Sequence, residues 1–153
     1  MKRDLRFEQT YPYPVERVWE AITDSAAMSD WLMPNDFVPR VGHKFQFHTK
    51  PAPGFDGIVN CEVTALDPPR RLAYTWKGGG IDTVVTFTLE PVASGTKLVL
   101  EHKGFRGARA MMVSYLLASG WRKSILPKRI PAAIERYDAG VYRPLPESER
   151  ACH

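Results

Sequence analysis

Histidine and cysteine side chains are the first candidates for chemistry in this sequence. His102 continues the alternation of Leu98 and Leu100 at the end of an apolar strand pattern, so its ring is predicted to point inward. An interior histidine can orient a polar ligand group or act as a base. At a strand end it is more often a hydrogen-bonded structural residue, and we favour that interpretation.

The other residues of these types do not form a recognisable metal site or nucleophilic centre. His43 and His48 are five positions apart on a strand pattern, which places their side chains on opposite faces. Cys61 lies within a strand pattern, with no evident cationic neighbour to lower the pKa of its thiol. The sequence therefore predicts no metal, no cofactor and no catalytic residue.

Aromatic side chains are the stronger signal, because they recur on one side of successive strand patterns. A space lined by apolar and aromatic side chains with a few polar groups is what a small-molecule site requires. The alternative is a filled core, which is favoured for any single residue. The predicted lining consists of Phe45, Phe47, Cys61, Tyr74, Trp76, Phe87, His102, Met112, Tyr115 and Leu116, with Trp19, Trp31 and Phe37 near its entrance.

The elements that must position these side chains follow from apolar periodicity. Alternation from Leu5 to Tyr11 predicts a strand. Apolar residues at helical spacing from Val15 to Ile22 predict an amphipathic helix, and a second short helix ends near Trp31. Short turns then favour antiparallel pairing of the strands that follow. These strands run from Gly42 to His48, Ile58 to Leu66, Leu72 to Lys77, Asp82 to Glu90 and Thr96 to His102.

A long helix from about Arg109 to Asp138 is the element predicted to cover the aromatic face of the sheet. Its inward side is expected to carry the apolar residues near helical spacing. These are Met112, Tyr115, Leu116, Ser119, Leu126, Ile130, Ala133, Ile134 and Tyr137.

Two prolines interrupt the pattern of this helix. Pro127 and Pro131 each remove an amide donor, so we expect a kink or a break near residues 124–127. The helix is then expected to restart with proline in its first turn. Residues 1–140 are predicted to form one domain, and residues 141–153 a flexible C-terminal tail.

Composition limits the class of protein. Hydrophobic residues make up 44% of the 153 and charged residues 25%, which is typical of one folded domain and excludes a mainly disordered chain. The segment MKRDLRFEQTYPYP has no apolar run, so no membrane span and a cytoplasmic location are expected. The net charge is +4, but the cations are dispersed, and we interpret the cluster from Arg122 to Arg129 as a solvated helix face rather than a nucleic-acid site.

The order strand, two short helices, five strands and long helix resembles the START-like superfamily, also called SRPBCC or birch-pollen-allergen-like. Local sequence is similar to bacterial single-domain members of the family named for homologues of the activator of heat-shock protein 90 ATPase. The resemblance covers residues 5–138 and is carried by PVERVWEAITD, VGHKFQF, FDGIVNCEVTALDPPRRLAYTW, VTFTLEP, SGTKLVLEH and the pair Gly120 and Trp121. It implies an α+β helix-grip fold: a six-stranded curved antiparallel sheet around a long C-terminal helix, with two short helices between the first two strands.

The leading functional hypothesis is non-enzymatic binding of a small hydrophobic or amphipathic ligand, lipid-like or aromatic, in a cavity between sheet and C-terminal helix. One alternative is a polyketide cyclase-like enzyme, which the same fold can host by resemblance and which would need convergent polar groups such as His102, Tyr74 and Tyr115. A second is a chaperone-related interaction module, by analogy with the family name alone. No nucleic-acid partner is expected, and an exposed apolar surface would permit a homodimer.

Overall fold

A single antiparallel sheet forms the framework of the protein. The computed structural model describes residues 1–138 and 140–146. The main strands are β1 Lys2–Tyr11, β2 Lys44–His48, β3 Ile58–Asp67, β4 Arg71–Gly78, β5 Ile81–Val92 and β6 Gly95–Arg106. They pair in the order β1-β6-β5-β4-β3-β2, so the predicted six-stranded sheet is confirmed. Its strands β2, β4 and β5 carry the aromatic residues of the inner face.

The inner face of the sheet is the one predicted from alternation. Successive side chains of a strand point to opposite faces, so an apolar residue at every second position defines a buried side. All predicted inward residues of β3 to β6 are buried in the structure. They are Val59, Cys61 and Val63, then Leu72, Tyr74 and Trp76, then Val85, Phe87 and Leu89, then Leu98, Leu100 and His102.

Two short helices, α1 Val15–Ile22 and α2 Ser25–Trp31, lie between β1 and β2 as predicted. The Asp24 carboxylate caps α2 by accepting a hydrogen bond from the amide of Ala27 at 2.9 Å. The indole N–H of Trp31 donates to the carbonyl of Ala21 at 2.8 Å and ties α2 to α1. This pair closes one end of the sheet.

The long helix continues through both prolines, so of the predicted kink or break the break is not found, and the irregularity takes the form of a π-helical segment. Its three parts are α3 Ala108–Gly120, a π-helical segment Trp121–Arg129, and α4 Ile130–Glu135. The amide of Ile130 donates to the carbonyl of Ile125, the i to i+5 pattern of a π-helix. The α-helical pattern restarts at Ile130 with Pro131 in its first turn, as predicted.

A distant tyrosine completes the hydrogen bonding of the π segment. The i+5 partner of the Leu126 carbonyl would be Pro131, which has no N–H. The hydroxyl of Tyr11, on β1, donates to that carbonyl at 2.7 Å instead. This contact supplies the Leu126 carbonyl with the hydrogen bond that Pro131 cannot donate.

The predicted inward face of α3 is wrong. Met112, Tyr115 and Leu116 are 64%, 65% and 70% exposed. Helix α3 is apolar on almost every side, so periodicity could not tell its buried face from its exposed one. The fully buried side chains of α3 are small, and they allow close approach of the helix backbone, while Met111, Val113 and Leu117 are partly buried and pack against the core. The fully buried ones are Ala110, Ser114 and Ala118.

Part of the predicted tail is packed against the domain. Strands β7 Tyr137–Asp138 and β8 Val141–Tyr142 pair with each other. The hydroxyl of Tyr142 and the amide of Leu145 donate to the buried Asp30 carboxylate at 2.5 and 3.0 Å. Residues 147–153 of the predicted tail lie outside the described residues. Among the described residues, none of the helices is both long and apolar enough to cross a bilayer.

Candidate functional site

The inner face of the sheet carries a continuous group of packed rings, called the aromatic cluster below. Tyr74 lies at its centre, with ring centroids 5.4 Å from Phe45, 6.0 Å from Phe47 and 6.2 Å from Phe87. These separations are those of rings in contact. The cluster consists of Trp31, Phe37, Phe45, Phe47, Tyr74, Trp76, Phe87 and Trp121.

Most of the predicted lining residues meet at this place. Trp19 is only partly buried and packs against the edge of the core. Met112, Tyr115 and Leu116 lie on the outer side of α3 and do not take part. The predicted residues that are buried on the inner side are Trp31, Phe37, Phe45, Phe47, Cys61, Tyr74, Trp76, Phe87 and His102.

Trp121 is the member of the cluster that sequence reasoning missed. It is 1% exposed and packs 6.2 Å from Phe87 and 6.3 Å from Trp76. A signal for it was present: the small residues Ala110, Ser114 and Ala118 precede Trp121 at intervals typical of one helix face. The larger apolar residues Met112, Tyr115 and Leu116 indicate a different face of the helix.

The Tyr74 hydroxyl is the unusual polar group of the site. Tyr74 is fully buried, and among the described residues its oxygen has no hydrogen-bond partner. Burial raises the pKa of this phenol well above 10.0, so the group is a neutral O–H donor. Most buried polar groups are paired, and an unpaired one calls for a physical explanation.

His102 belongs to a complete hydrogen-bonded chain. The indole N–H of Trp121 donates to its Nδ1 at 3.3 Å, so the ring proton resides on Nε2, which faces the Thr83 hydroxyl at 2.8 Å. That hydroxyl donates to the Trp76 carbonyl at 3.0 Å. Burial lowers the pKa of His102 to about 3, which keeps the ring neutral at pH 7. Both ring nitrogens are committed, as expected of a structural histidine.

Cys61 is also neutral in this environment. It is 5% exposed, its Sγ lies 3.8 Å from the Val59 carbonyl, and burial raises the pKa of its thiol, with a smaller contribution from the Asp36 carboxylate. A protonated thiol is a weak nucleophile. Tyr74, His102 and Cys61 therefore present only uncharged polar groups to the interior.

The loop between β2 and β3, residues 49–57, is held against the β4–β5 turn by one side chain of α3. The guanidinium of Arg109 donates to the carbonyl of Gly79 at 2.6 Å and to that of Pro53 at 3.3 Å. Phe55, at the loop tip, packs on Gly79, where an added Cβ would lie 3.2 Å from its ring. With φ at +61°, Gly79 suits this turn for two reasons: its backbone conformation and the space it leaves for Phe55.

The surface grooves of the described residues lie away from the aromatic cluster. One groove of about 390 Å³ lies between helices α2 and α4 and the segment that contains Tyr142 and Leu145. A smaller one of about 200 Å³ borders β2 to β4. The groove of about 390 Å³ is lined by Asp30, Arg129, Ala132, Ala133, Glu135, Arg136, Tyr142 and Leu145.

Comparison with known proteins agrees with this architecture. A crystal structure of a Mesorhizobium loti protein is 32% identical, with a TM-score of 0.78 over 89% of this chain and 99% of that chain. A solution structure of a Bacillus halodurans protein is 29% identical, with a TM-score of 0.70 over 88% and 99%. DynU16, a protein of the dynemicin biosynthetic locus, is 24% identical with a TM-score of 0.68, over 91% of this chain and 49% of that chain, and shows the fold alone.

No match was found among curated proteins. The family described as "Activator of Hsp90 ATPase homolog 1-like protein" matches residues 12–135, which contain both short helices, the aromatic cluster and the long helix. The helix-grip fold and the resemblance inferred from sequence are thereby confirmed. The chain belongs to this family, as a START-like (SRPBCC) domain.

Proposed function

We propose that the protein binds a small hydrophobic or amphipathic ligand, lipid-like or aromatic, between the sheet and the C-terminal helix. The observation that carries this proposal is the unpaired hydroxyl of Tyr74 at the centre of the aromatic cluster. Leaving a buried donor unpaired costs about 1–3 kcal/mol of folding stability. A ligand oxygen that accepts this hydrogen bond would offset the cost.

The chemistry of the site favours an uncharged ligand with one acceptor group. Rings at contact distance provide stacking and apolar surface on several sides of Tyr74. His102 and Cys61 are held neutral by burial, so neither offers a charge to an ionic ligand. A ketone, ester or phenol oxygen on an apolar body fits these conditions.

The ligand must separate side chains that are now in contact. The route we propose passes the 49–57 loop, because its tip is attached to the hairpin turn through Phe55 and the exposed Arg109. Breaking two hydrogen bonds of an exposed guanidinium is a small perturbation compared with opening the sheet. The aromatic rings would then move apart around the ligand.

The substitution Tyr74→Phe tests the proposal. Ligands are first found by native mass spectrometry of protein purified from its own cells and by a thermal-shift screen of aromatic metabolites and fatty-acid esters. We expect the variant to unfold at higher urea concentration, since the unpaired hydroxyl is removed, and to bind an identified ligand about tenfold more weakly.

A matched control is Tyr115→Phe, which removes a hydroxyl from an exposed tyrosine on α3. This variant should leave both stability and ligand affinity unchanged. Equal ligand affinity of wild type and Tyr74→Phe would contradict the role of the hydroxyl. Failure of every screened compound to raise the melting temperature, with no co-purified ligand, would contradict ligand binding itself.

The polyketide cyclase-like alternative requires three polar side chains to converge in one active site, and they do not. Tyr115 is 65% exposed, whereas His102 and Tyr74 are fully buried, and both ring nitrogens of His102 are already engaged. These three side chains therefore do not meet as a polar active site. The chaperone-related role and the homodimer stay predictions, the first by analogy with the family description and the second from exposed apolar surface.

A further inference from the structure

We propose that the outer face of α3 docks onto a lipid surface with anionic headgroups. The face consists of Met112, Tyr115 and Leu116, which lie at i, i+3 and i+4 and are exposed by 64%, 65% and 70%. Other exposed large apolar residues, such as Val41 and Val92, do not lie on one helix face in this way. Contiguous exposed apolar surface of this kind marks a site of interaction.

The charged side chains of the helix near this face are all positive. From residue 102 to residue 134 the sequence contains no aspartate or glutamate. Exposed cations flank the apolar residues on both sides: Arg106 and Arg109 before them, Arg122 and Lys123 after them. From Arg109 to Lys123 the helix spans about 20 Å at the usual rise per residue.

Within the part of the chain that the structure describes, these cations form no ion pairs with carboxylates. The salt bridges among the described residues join Arg6 and Lys97 to Glu8, and Lys103 to Glu101. The two hydrogen bonds of Arg109 go to carbonyl oxygens, which leave its positive charge in place.

A further cation comes from the neighbouring strand. The guanidinium of Arg3 lies 3.9 Å from the centroid of the Tyr115 ring and donates to Ser114. The acid beside it on β1, Asp4, accepts a hydrogen bond from the backbone amide of Gly104. The apolar face is thus accompanied by positive charge from both α3 and β1.

The shape and charge favour a membrane surface over other partners. A second copy of this chain would bring identical cations into contact, which is unfavourable for a symmetric interface. A convex helix face suits the boundary between headgroups and acyl chains, where methionine, leucine and tyrosine insert and long cationic side chains reach phosphates. The inference does not depend on the ligand proposed for the aromatic cluster.

Vesicle co-sedimentation of the full chain tests this docking. The probes are vesicles of phosphatidylcholine alone and of phosphatidylcholine with about one third phosphatidylglycerol, at about 0.1 M salt. We expect binding to the anionic vesicles at least tenfold tighter than to the neutral ones. The double variant Met112→Ser with Leu116→Ser should lose about tenfold in affinity, and Arg122→Gln with Lys123→Gln a similar factor.

The matched control is Val41→Ser with Val92→Ser, which removes exposed apolar side chains that lie outside α3. It should bind anionic vesicles like the wild type, and circular dichroism should show all variants folded. Equal sedimentation with neutral and anionic vesicles, or unchanged binding of the Met112→Ser and Leu116→Ser double variant, would overturn the proposal. Absence of sedimentation with both kinds of vesicle would overturn it as well.

Discussion

The two halves of the C-terminal helix face the same sheet with opposite kinds of side chain. Helix α3 turns Ala110, Ser114 and Ala118 inward, so its backbone is predicted to lie close to the strands. The π segment instead inserts Trp121 and, further on, Leu126. The difference shows that the large buried side chains come from the sheet where it faces α3, whereas beyond Gly120 they come from the helix.

This comparison also explains where the exposed apolar surface comes from. In the second half the large apolar residues are used for packing, so cations and prolines remain outside. In the first half the fully buried positions hold small residues and the partly buried ones hold Met111, Val113 and Leu117, so Met112, Tyr115 and Leu116 are left outside. An apolar residue on a helix is therefore not by itself evidence of a core position.

Trp121→Ala is the substitution expected to break the second half most severely. The side chain is 1% exposed, contacts Trp76 and Phe87, and donates to His102. We expect a loss of about 3–5 kcal/mol in the free energy of unfolding, measured by urea denaturation.

The control for this prediction lies in the first half of the helix. Tyr115→Ala removes another aromatic ring, but an exposed one, and should change stability by no more than about 0.5 kcal/mol. Similar losses for the two variants would contradict the division of the helix described above.

Ala118→Leu tests the close approach of α3. Ala118 is 2% exposed, and a leucine there would have to displace the sheet or the helix. Overpacking of this kind costs about 1–3 kcal/mol of unfolding free energy, which chemical denaturation would measure. Ala108→Leu, at an exposed position of the same helix, should have an effect below about 0.5 kcal/mol. A tolerated leucine at 118 would show that the interface has spare volume.

His102 accepts a hydrogen bond from Trp121, at the junction of the two halves of the helix. It should make the free energy of unfolding depend on pH. Its pKa falls from 6.5 to about 3 on folding, so below pH 6.5 the unfolded chain binds a proton that the native chain excludes. Stability from this group is complete above pH 6.5 and decreases as the pH falls toward 3. Between about pH 7.5 and pH 5.5 we expect a loss of about 1 kcal/mol in urea denaturation.

Two substitutions separate this effect from other titrations. His102→Gln should abolish the pH dependence in that interval, although the variant is less stable overall. His48→Gln, which changes an exposed histidine on β2, should retain it. The same pH slope in wild type and His102→Gln would show that His102 is not the origin.

Arg109→Leu should give the smallest effect, confined to the 49–57 loop that this side chain of α3 holds in place. Loss of its bonds to Gly79 and Pro53 should increase amide exchange at Ala52 and Phe55, which pair with each other, by about tenfold. Global stability should change by less than about 0.5 kcal/mol, because Arg109 is exposed. Arg106→Leu serves as the control, and equal exchange in both variants would contradict the attachment of the loop.

Much of the site was predictable because strand alternation is a local rule. Phe45 and Phe47 on β2 and Tyr74 and Trp76 on β4 were assigned to one buried face from their spacing alone, and the structure confirms this. The missing hydrogen-bond partner of Tyr74 could not be predicted. It depends on which groups are brought together by elements far apart in the chain, and no local pattern encodes that.

The sequence by itself determined the order of elements, the inner face of the sheet and the restart of the helix at Ile130. Periodicity and the missing N–H of proline act over a few residues, which is why these features could be inferred. Only the tertiary structure decided which side of α3 is buried and how the prolines are accommodated. The physical reason is distance: the packing partners of α3 lie on β1 and β6, and the Leu126 carbonyl is satisfied by Tyr11, far away in the chain.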